Sequence, residues 1–267
     1  YNPVRDQWIT DDMVAIRRDF LPEDLLPELR ANHIDGCIAV QADQSEEETR
    51  FLLDLAKEND FIRAVVGWVD LRADNVAECL GLLSQKKKLR GFRHIVQSEP
   101  DDRFMLQRAF LRGIGGLRQF GFTYDILLYP RQLPAAIELV ARFPNQPFVI
   151  DHIAKPEIKA KRTLPWAQQM REIAGNRNVY CKVSGMLTEA DWKNWKSDDC
   201  RPYLDIVFEA FGCDRIMFGS DWPVCLLAAS YSQVIGLIAD YTKDFSPAEK
   251  AKIFGLNAAR FYGIAHC

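Results

Sequence analysis

The sequence predicts an α/β fold built on a parallel sheet. Short runs rich in Val, Ile and aromatic residues recur along the chain with amphipathic segments between them, and two of the runs end on a carboxylate. At 267 residues, 48% hydrophobic and 27% charged, the chain can bury a full core, and one domain over residues 1–267 is expected. Its net charge of -3 and pI near 5.9 supply no basic field for nucleic acid or an anionic membrane, which points to a small-molecule substrate. Nothing in the composition decides between a monomer and a homo-oligomer.

The candidate strands, in order, are 34–41, 62–69, 89–96, 123–129, 148–153, 179–183 and 215–219, seven in all. Between the first two, Ser45-Glu46-Glu47-Glu48 opens a helix with a capping serine, a Glu at the third helical position and an acidic first turn. Phe51, Leu52, Leu55 and Ala56 then form its apolar stripe. The basic run Lys86-Lys87-Lys88 reads as a solvated helix end. Near the C-terminus, Ser246-Pro247-Ala248-Glu249 repeats the helix-start signal, and Ile253 and Phe254 carry that helix inward. A parallel sheet that curls into a barrel normally closes with eight strands, whereas an open doubly wound sheet tolerates seven.

The cysteines (Cys37, Cys79, Cys181, Cys200, Cys213, Cys225, Cys267) are odd in number and form no C-x-x-C pair, so neither a disulfide framework nor a zinc ribbon is indicated. Free thiols in a reducing cytosol fit them best. No apolar run approaches the ~20 residues that span a bilayer, and the polar start Tyr1-Asn2-Pro3-Val4-Arg5-Asp6 lacks a signal-peptide core. A cytoplasmic protein is expected.

Two strand ends carry the chemistry. Asp151-His152-Ile153-Ala154-Lys155-Pro156 puts a His directly after an apolar strand, where it can ligate a metal or carry a proton near neutral pH, or serve as a hydrogen-bonded structural residue. Asp151 and Lys155 could form a local ion pair. Phe218-Gly219-Ser220-Asp221-Trp222-Pro223 leaves Asp221 at the end of the last strand, either as a turn former or as a carboxylate that binds a metal and takes a proton from its water. Gly91-Phe92-Arg93-His94 ends another strand with donors suited to a carboxylate or polyhydroxylated substrate, although Arg93 could equally pair with Glu99 or Asp101. Lys182 and Ser184 share one face of their strand, and in a barrel interior the ammonium would reach the pocket.

Other signals fail. Gly113-Ile114-Gly115-Gly116-Leu117-Arg118 has Arg where a dinucleotide fingerprint needs Gly and lies within a helical segment. There is no P-loop, no G-x-S-x-G and no H-E-x-x-H, and Ser220 lacks the flanking glycines of a nucleophile elbow.

Taken in order, Gly67-Trp68-Val69-Asp70-Leu71, Gly91-Phe92-Arg93-His94 with Glu99-Pro100, Tyr124-Asp125-Ile126-Leu127-Leu128, Asp151 to Pro156, Lys182-Val183-Ser184-Gly185, Phe218 to Pro223 and Asn257-Ala258-Ala259-Arg260-Phe261-Tyr262 span most of the chain. This series resembles the amidohydrolase-related metal-dependent hydrolases, and within them the sugar lactonases. The resemblance implies a (β/α)8 TIM barrel, a site at the C-terminal strand ends, and a divalent metal, zinc by preference, with His152 and Asp221 as ligands. It also implies a first strand bearing H-x-H, and no H-x-H occurs in this chain. The expectation is that this first strand is absent from the chain, which would account for the count of seven.

The function implied is hydrolysis of a sugar-acid lactone, with Asp221 as general base and then acid, His152 beside it, and Arg93, His94, Lys155, Lys182 and Trp222 contacting substrate. Two rivals stand beside it: a metal-dependent decarboxylase of the same superfamily, and a non-catalytic sugar-acid binding protein.

Overall fold

The computed structural model describes residues 1–264. Its seven strands are β1 (Cys37–Val40), β2 (Ile62–Gly67), β3 (Leu89–Ile95), β4 (Thr123–Leu127), β5 (Phe148–Ile150), β6 (Val179–Val183) and β7 (Ile216–Phe218). They form one parallel sheet in the order of the sequence, each strand paired with the next. The seven expected strands are all present, and most are shorter than predicted. The difference falls mainly at their C-terminal ends, where the chain turns out of the ladder into loops that carry the polar residues. Sequential parallel neighbours joined by helical crossovers make a curled barrel wall. Among the described residues, β1 and β7 do not pair.

The crossovers are α2 (Glu46–Glu58), α3 (Val76–Leu83), α4 (Arg108–Leu117), α5 (Leu133–Arg142), α6 (Trp166–Ala174) and α7 (Ser197–Phe211), while α1 (Pro22–Ala31) precedes β1 and α8 (Tyr231–Tyr241) follows β7. Ser45 caps α2 by accepting the Glu48 N–H at 3.1 Å, but Glu48 does not close a capping box; its carboxylate accepts the Ala42 N–H instead. Ala56 is fully buried, while Phe51 is 47% exposed and falls outside the stripe expected for it. Lys88 is not simply solvated, because its ammonium donates to the carbonyls of Ile62 and Ala56 and ties α2 to β2. At the C-terminus Ser246 and Glu249 form the reciprocal cap of α9 (Pro247–Ala251). A π-helical turn at Lys252–Leu256 follows, and then α10 (Asn257–Phe261).

Strand alternation divides the core in two. Outward residues such as Val65, Phe92, Tyr124, Ile126, Phe148, Ile150, Cys181 and Ile216 pack under the helices. Inward residues Val66, Val149 and Met217 line a lumen that Phe261 and Tyr262 fill from the C-terminal end of the chain. Asn257 anchors that end by donating to the carbonyls of Cys213 and Ile216, both at 2.7 Å. The six described cysteines are free thiols, and Cys267 lies outside the described residues. Among the described residues no helix is long and apolar enough to cross a membrane.

Candidate active site

Beyond β5 the backbone does something its residue types do not favour. His152, Ile153, Ala154 and Lys155 all hold left-handed conformations, with φ of 53, 44, 60 and 48°. Each such L-residue costs roughly 1–2 kcal/mol, so the surroundings must over-determine the segment. Three restraints do so: Trp166 Nε1 donates to the Ile153 carbonyl at 2.8 Å, Ile153 and Ala154 are fully buried, and Asp151 just upstream is held by two cations.

The turn delivers His152 to the mouth of the barrel. Its Nδ1 lies 2.9 Å from Ser184 Oγ, one residue past β6, and its Nε2 lies 3.6 Å from Asp221 Oδ1, past β7. Asp221 is itself left-handed, at φ 56°. Gly185, at φ +63°, sits against the imidazole so closely that a Cβ there would lie 2.7 Å from its Cγ and Nδ1. Burial lowers the His152 pKa against the opposing pull of Asp221 and Asp151, so the ring is neutral at pH 7. A neutral imidazole can donate from Nδ1 to Ser184 Oγ and keep the Nε2 lone pair free toward Asp221. The expected pair of His152 and Asp221 is therefore brought together.

Beneath that pair lies a charge cluster on inward-facing positions. Arg93 donates to Asp151 Oδ2 at 2.9 Å and to the Gln41 carbonyl, and Gln41 returns a bond to the Arg93 carbonyl at 2.9 Å. Lys182 reaches Asp151 at 2.7 Å and also Asp125, and Tyr262 OH donates to Asp125 at 2.7 Å. Two cations thus balance two buried carboxylates. Burial pushes the Asp151 carboxyl up, but Lys182 and Arg93 outweigh it and hold the group well below the usual carboxylate range. Asp125 goes the other way, because its burial exceeds the help of Lys182. Asp151 pairs with Arg93 and Lys182, not Lys155, and Arg93 pairs with neither Glu99 nor Asp101.

The remaining expected contacts separate. Lys155 stands at the mouth, 3.6 Å from Glu189 Oε1, and Trp222 packs edge-on against Phe20 with centroids 5.2 Å apart. His94 faces the helices, since its strand neighbour Arg93 faces the lumen. It is 5% exposed, stacks on Phe104, holds Glu99 at 2.7 Å through Nε2 and accepts from Trp68 Nε1. Sequence reasoning missed Asp125, Gly185, Glu189 and Tyr262. For Asp125 a signal existed: one carboxylate in the apolar run Thr123-Tyr124-Asp125-Ile126-Leu127, at a position that must face the lumen.

His152 Nε2 and Asp221 Oδ1 are close enough for one ion to touch both, because zinc bonds of about 2.0–2.2 Å on each side exceed the 3.6 Å gap when summed. A catalytic zinc site uses about three protein ligands, and among the described residues no group of three His, Cys, Asp or Glu is gathered for an ion. The pair fits part of a metal site and does not complete one.

Known proteins bear on this geometry. The chain is 41% identical over 268 residues to an L-fucono-1,5-lactonase of Burkholderia multivorans, covering 96% of this chain and 90% of that one. It is 36% identical over 263 residues to an L-fucono-1,5-lactonase of Burkholderia ambifaria, with the same coverage. Its fold matches the crystal structure of an amidohydrolase from Burkholderia multivorans with bound zinc, at a TM-score of 0.94 and 40% identity over 99% of this chain and 96% of that one. The family model described as Amidohydrolase matches residues 6–264, nearly everything the structure describes, and the chain belongs to the amidohydrolase family.

Proposed function

We propose that this amidohydrolase opens a sugar-acid lactone by attack of water, with Asp221 moving the proton and His152 beside it, in one domain acting in the cytoplasm. The observation that carries the reading is the 3.6 Å approach of His152 Nε2, past β5, to Asp221 Oδ1, past β7, in a chain 41% identical to an L-fucono-1,5-lactonase. A water seated above the pair gives its proton to the Asp221 carboxylate and adds to the lactone carbonyl carbon. Ser184 and Gly185 fix the imidazole so that Nε2 faces the reacting centre. The tetrahedral adduct then collapses with loss of the ring C–O bond, and Asp221 returns the proton to the departing ring oxygen, which leaves an open-chain hydroxy acid.

Zinc, when bound, would take His152 and Asp221 as two of its ligands and supply Lewis-acid polarisation together with an acidified water. Arg93 and Lys182 are engaged by Asp151 and Asp125, so their part is to set the field under the site. Lys155 and Trp222 are the contacts left at the mouth. His94 faces away and has no direct part.

A pH-indicator screen of aldonolactones, run with added zinc or manganese and with chelator, tests the reading. Asp221→Asn should lower turnover about 10²–10⁴-fold, the range of a general acid–base group, while binding of the product acid persists. Equal turnover by the variant would remove Asp221 from the role. Release of carbon dioxide from aromatic or unsaturated acids, without lactone opening, would favour a decarboxylase; binding without turnover would favour a sugar-acid binding protein.

A further inference from the structure

One group at the mouth has more hydrogen-bonding capacity than its neighbours use. Lys155 sits last in the left-handed turn after β5, and its side chain is 17% exposed. Among the described residues its ammonium has two neighbours, the Tyr129 ring with centroid 5.4 Å away and Glu189 Oε1 at 3.6 Å. The second distance is longer than an N–H···O bond, and one carboxylate oxygen cannot occupy three N–H donors. Tyr129 follows β4 and is 38% exposed. Glu189 closes the short 3-10 turn Leu187–Glu189 beyond β6. Three consecutive strand ends therefore bring a phenol, an ammonium and a carboxylate to one place. That place adjoins the reacting pair, because the Lys155 N–H donates to the His152 carbonyl at 2.8 Å within the same turn, and Glu189 lies four residues beyond Gly185, which packs against the His152 ring.

We propose that Tyr129, Lys155 and Glu189 form a hydroxyl-recognition subsite that binds the polyhydroxylated side of the lactone and sets the preference for sugar lactones over unsubstituted ones; this rests on the lactonase reading above. A sugar hydroxyl is donor and acceptor at once, so adjacent hydroxyls can accept from the ammonium and donate to the carboxylate. A gap of 3.6 Å between those two groups can be bridged from above by such oxygens. The phenol adds one more donor or acceptor beside an apolar ring face. Most ligand sites combine an apolar wall with a few fixed polar groups in this way. An unsubstituted lactone ring has no hydroxyl to offer them, and the charged pair would be left without the bonds it is placed to make.

The test compares kcat/KM for δ-valerolactone with that for the aldonolactone which the wild-type protein turns over best, in wild type, Lys155→Met and Glu189→Gln. The expected result is a fall of about 10- to 100-fold in the aldonolactone/valerolactone ratio in both variants, as befits a charge-assisted bond to a substrate hydroxyl. It should appear mainly in KM, because such a bond forms in ground and transition states alike. Equal losses on both lactones, or an unchanged ratio, would refute the subsite, as would a wild type that prefers δ-valerolactone. If wild type opens no lactone at all, the lactonase reading fails separately, and calorimetry with L-fuconate decides the subsite: weaker binding in Lys155→Met supports it, and no binding by wild type overturns it.

Discussion

Gly185 is the position where one methyl group should do the most damage. A Cβ built there lies 2.7 Å from Cγ and Nδ1 and 2.8 Å from Cβ of His152, against ordinary carbon contacts of about 3.5–4.0 Å. Gly185→Ala must therefore move the imidazole by close to an ångström or distort the turn after β6. Left-handed φ for alanine adds roughly 1–2 kcal/mol, and overpacking adds typically 1–3 kcal/mol. The total, about 2–5 kcal/mol, corresponds to a Tm lowered by roughly 4–20 °C in a chain of this size. The displaced ring loses its 2.9 Å contact with Ser184 and its alignment with Asp221, and a 1 Å misplacement can cost about 10²-fold in rate. Gly121→Ala is the matched control, with φ +76° and nothing within 4 Å of a Cβ. It incurs the backbone cost alone and should leave lactone turnover unchanged. Thermal melts and initial rates on the three proteins decide the matter, and the reasoning is refuted if Gly185→Ala behaves like Gly121→Ala.

Lys182→Met leaves Asp125 and Asp151 with Arg93 as their only cation in the cluster and should cost about 3–5 kcal/mol, read from urea unfolding. Adding Asp125→Asn restores the charge balance, so the double variant should recover part of that loss; a double variant less stable than the single would contradict the neutral-cluster account. His94 should make stability fall on acidification. Burial lowers its pKa despite Glu99, so its contribution is complete above the unfolded value near 6.5 and is lost as pH drops toward the folded value, with a slope of up to about 1.4 kcal/mol per pH unit. Unfolding measured from pH 8 to 5 should show a shallower slope in His94→Gln than in wild type, and identical slopes would rule His94 out as the source.

The barrel wall was legible because its signals are local. A β-rich run between turn residues is a signal carried within a few residues, and all seven such runs are strands. The cluster beneath the site was not, because its members come from distant stretches: Tyr262 and Asp125 are 137 residues apart in sequence. Nothing near either one announces the other. Arg93 and His94 teach a different lesson. Adjacent strand residues face opposite sides, so only one of the two could reach the lumen, and alternation already assigns His94 to the helix side with Phe92 as its outward companion.

The left-handed run from His152 to Lys155 departs most from what its residue types favour. No Gly or Asn stands in Asp151-His152-Ile153-Ala154-Lys155 to prefer that conformation, so local propensity argues for a longer strand, as the sequence predicted. The strain is sustained from outside the segment, by Arg93 and Lys182 on Asp151 and by Trp166 on the Ile153 carbonyl. An extended continuation of β5 would alternate its side chains between lumen and helices. The left-handed turn instead puts His152 beside Asp221 and carries Lys155 to Glu189. The charge cluster and the site are thus one device: buried ion pairs, of little net value to stability by themselves, hold a backbone that the reacting pair requires.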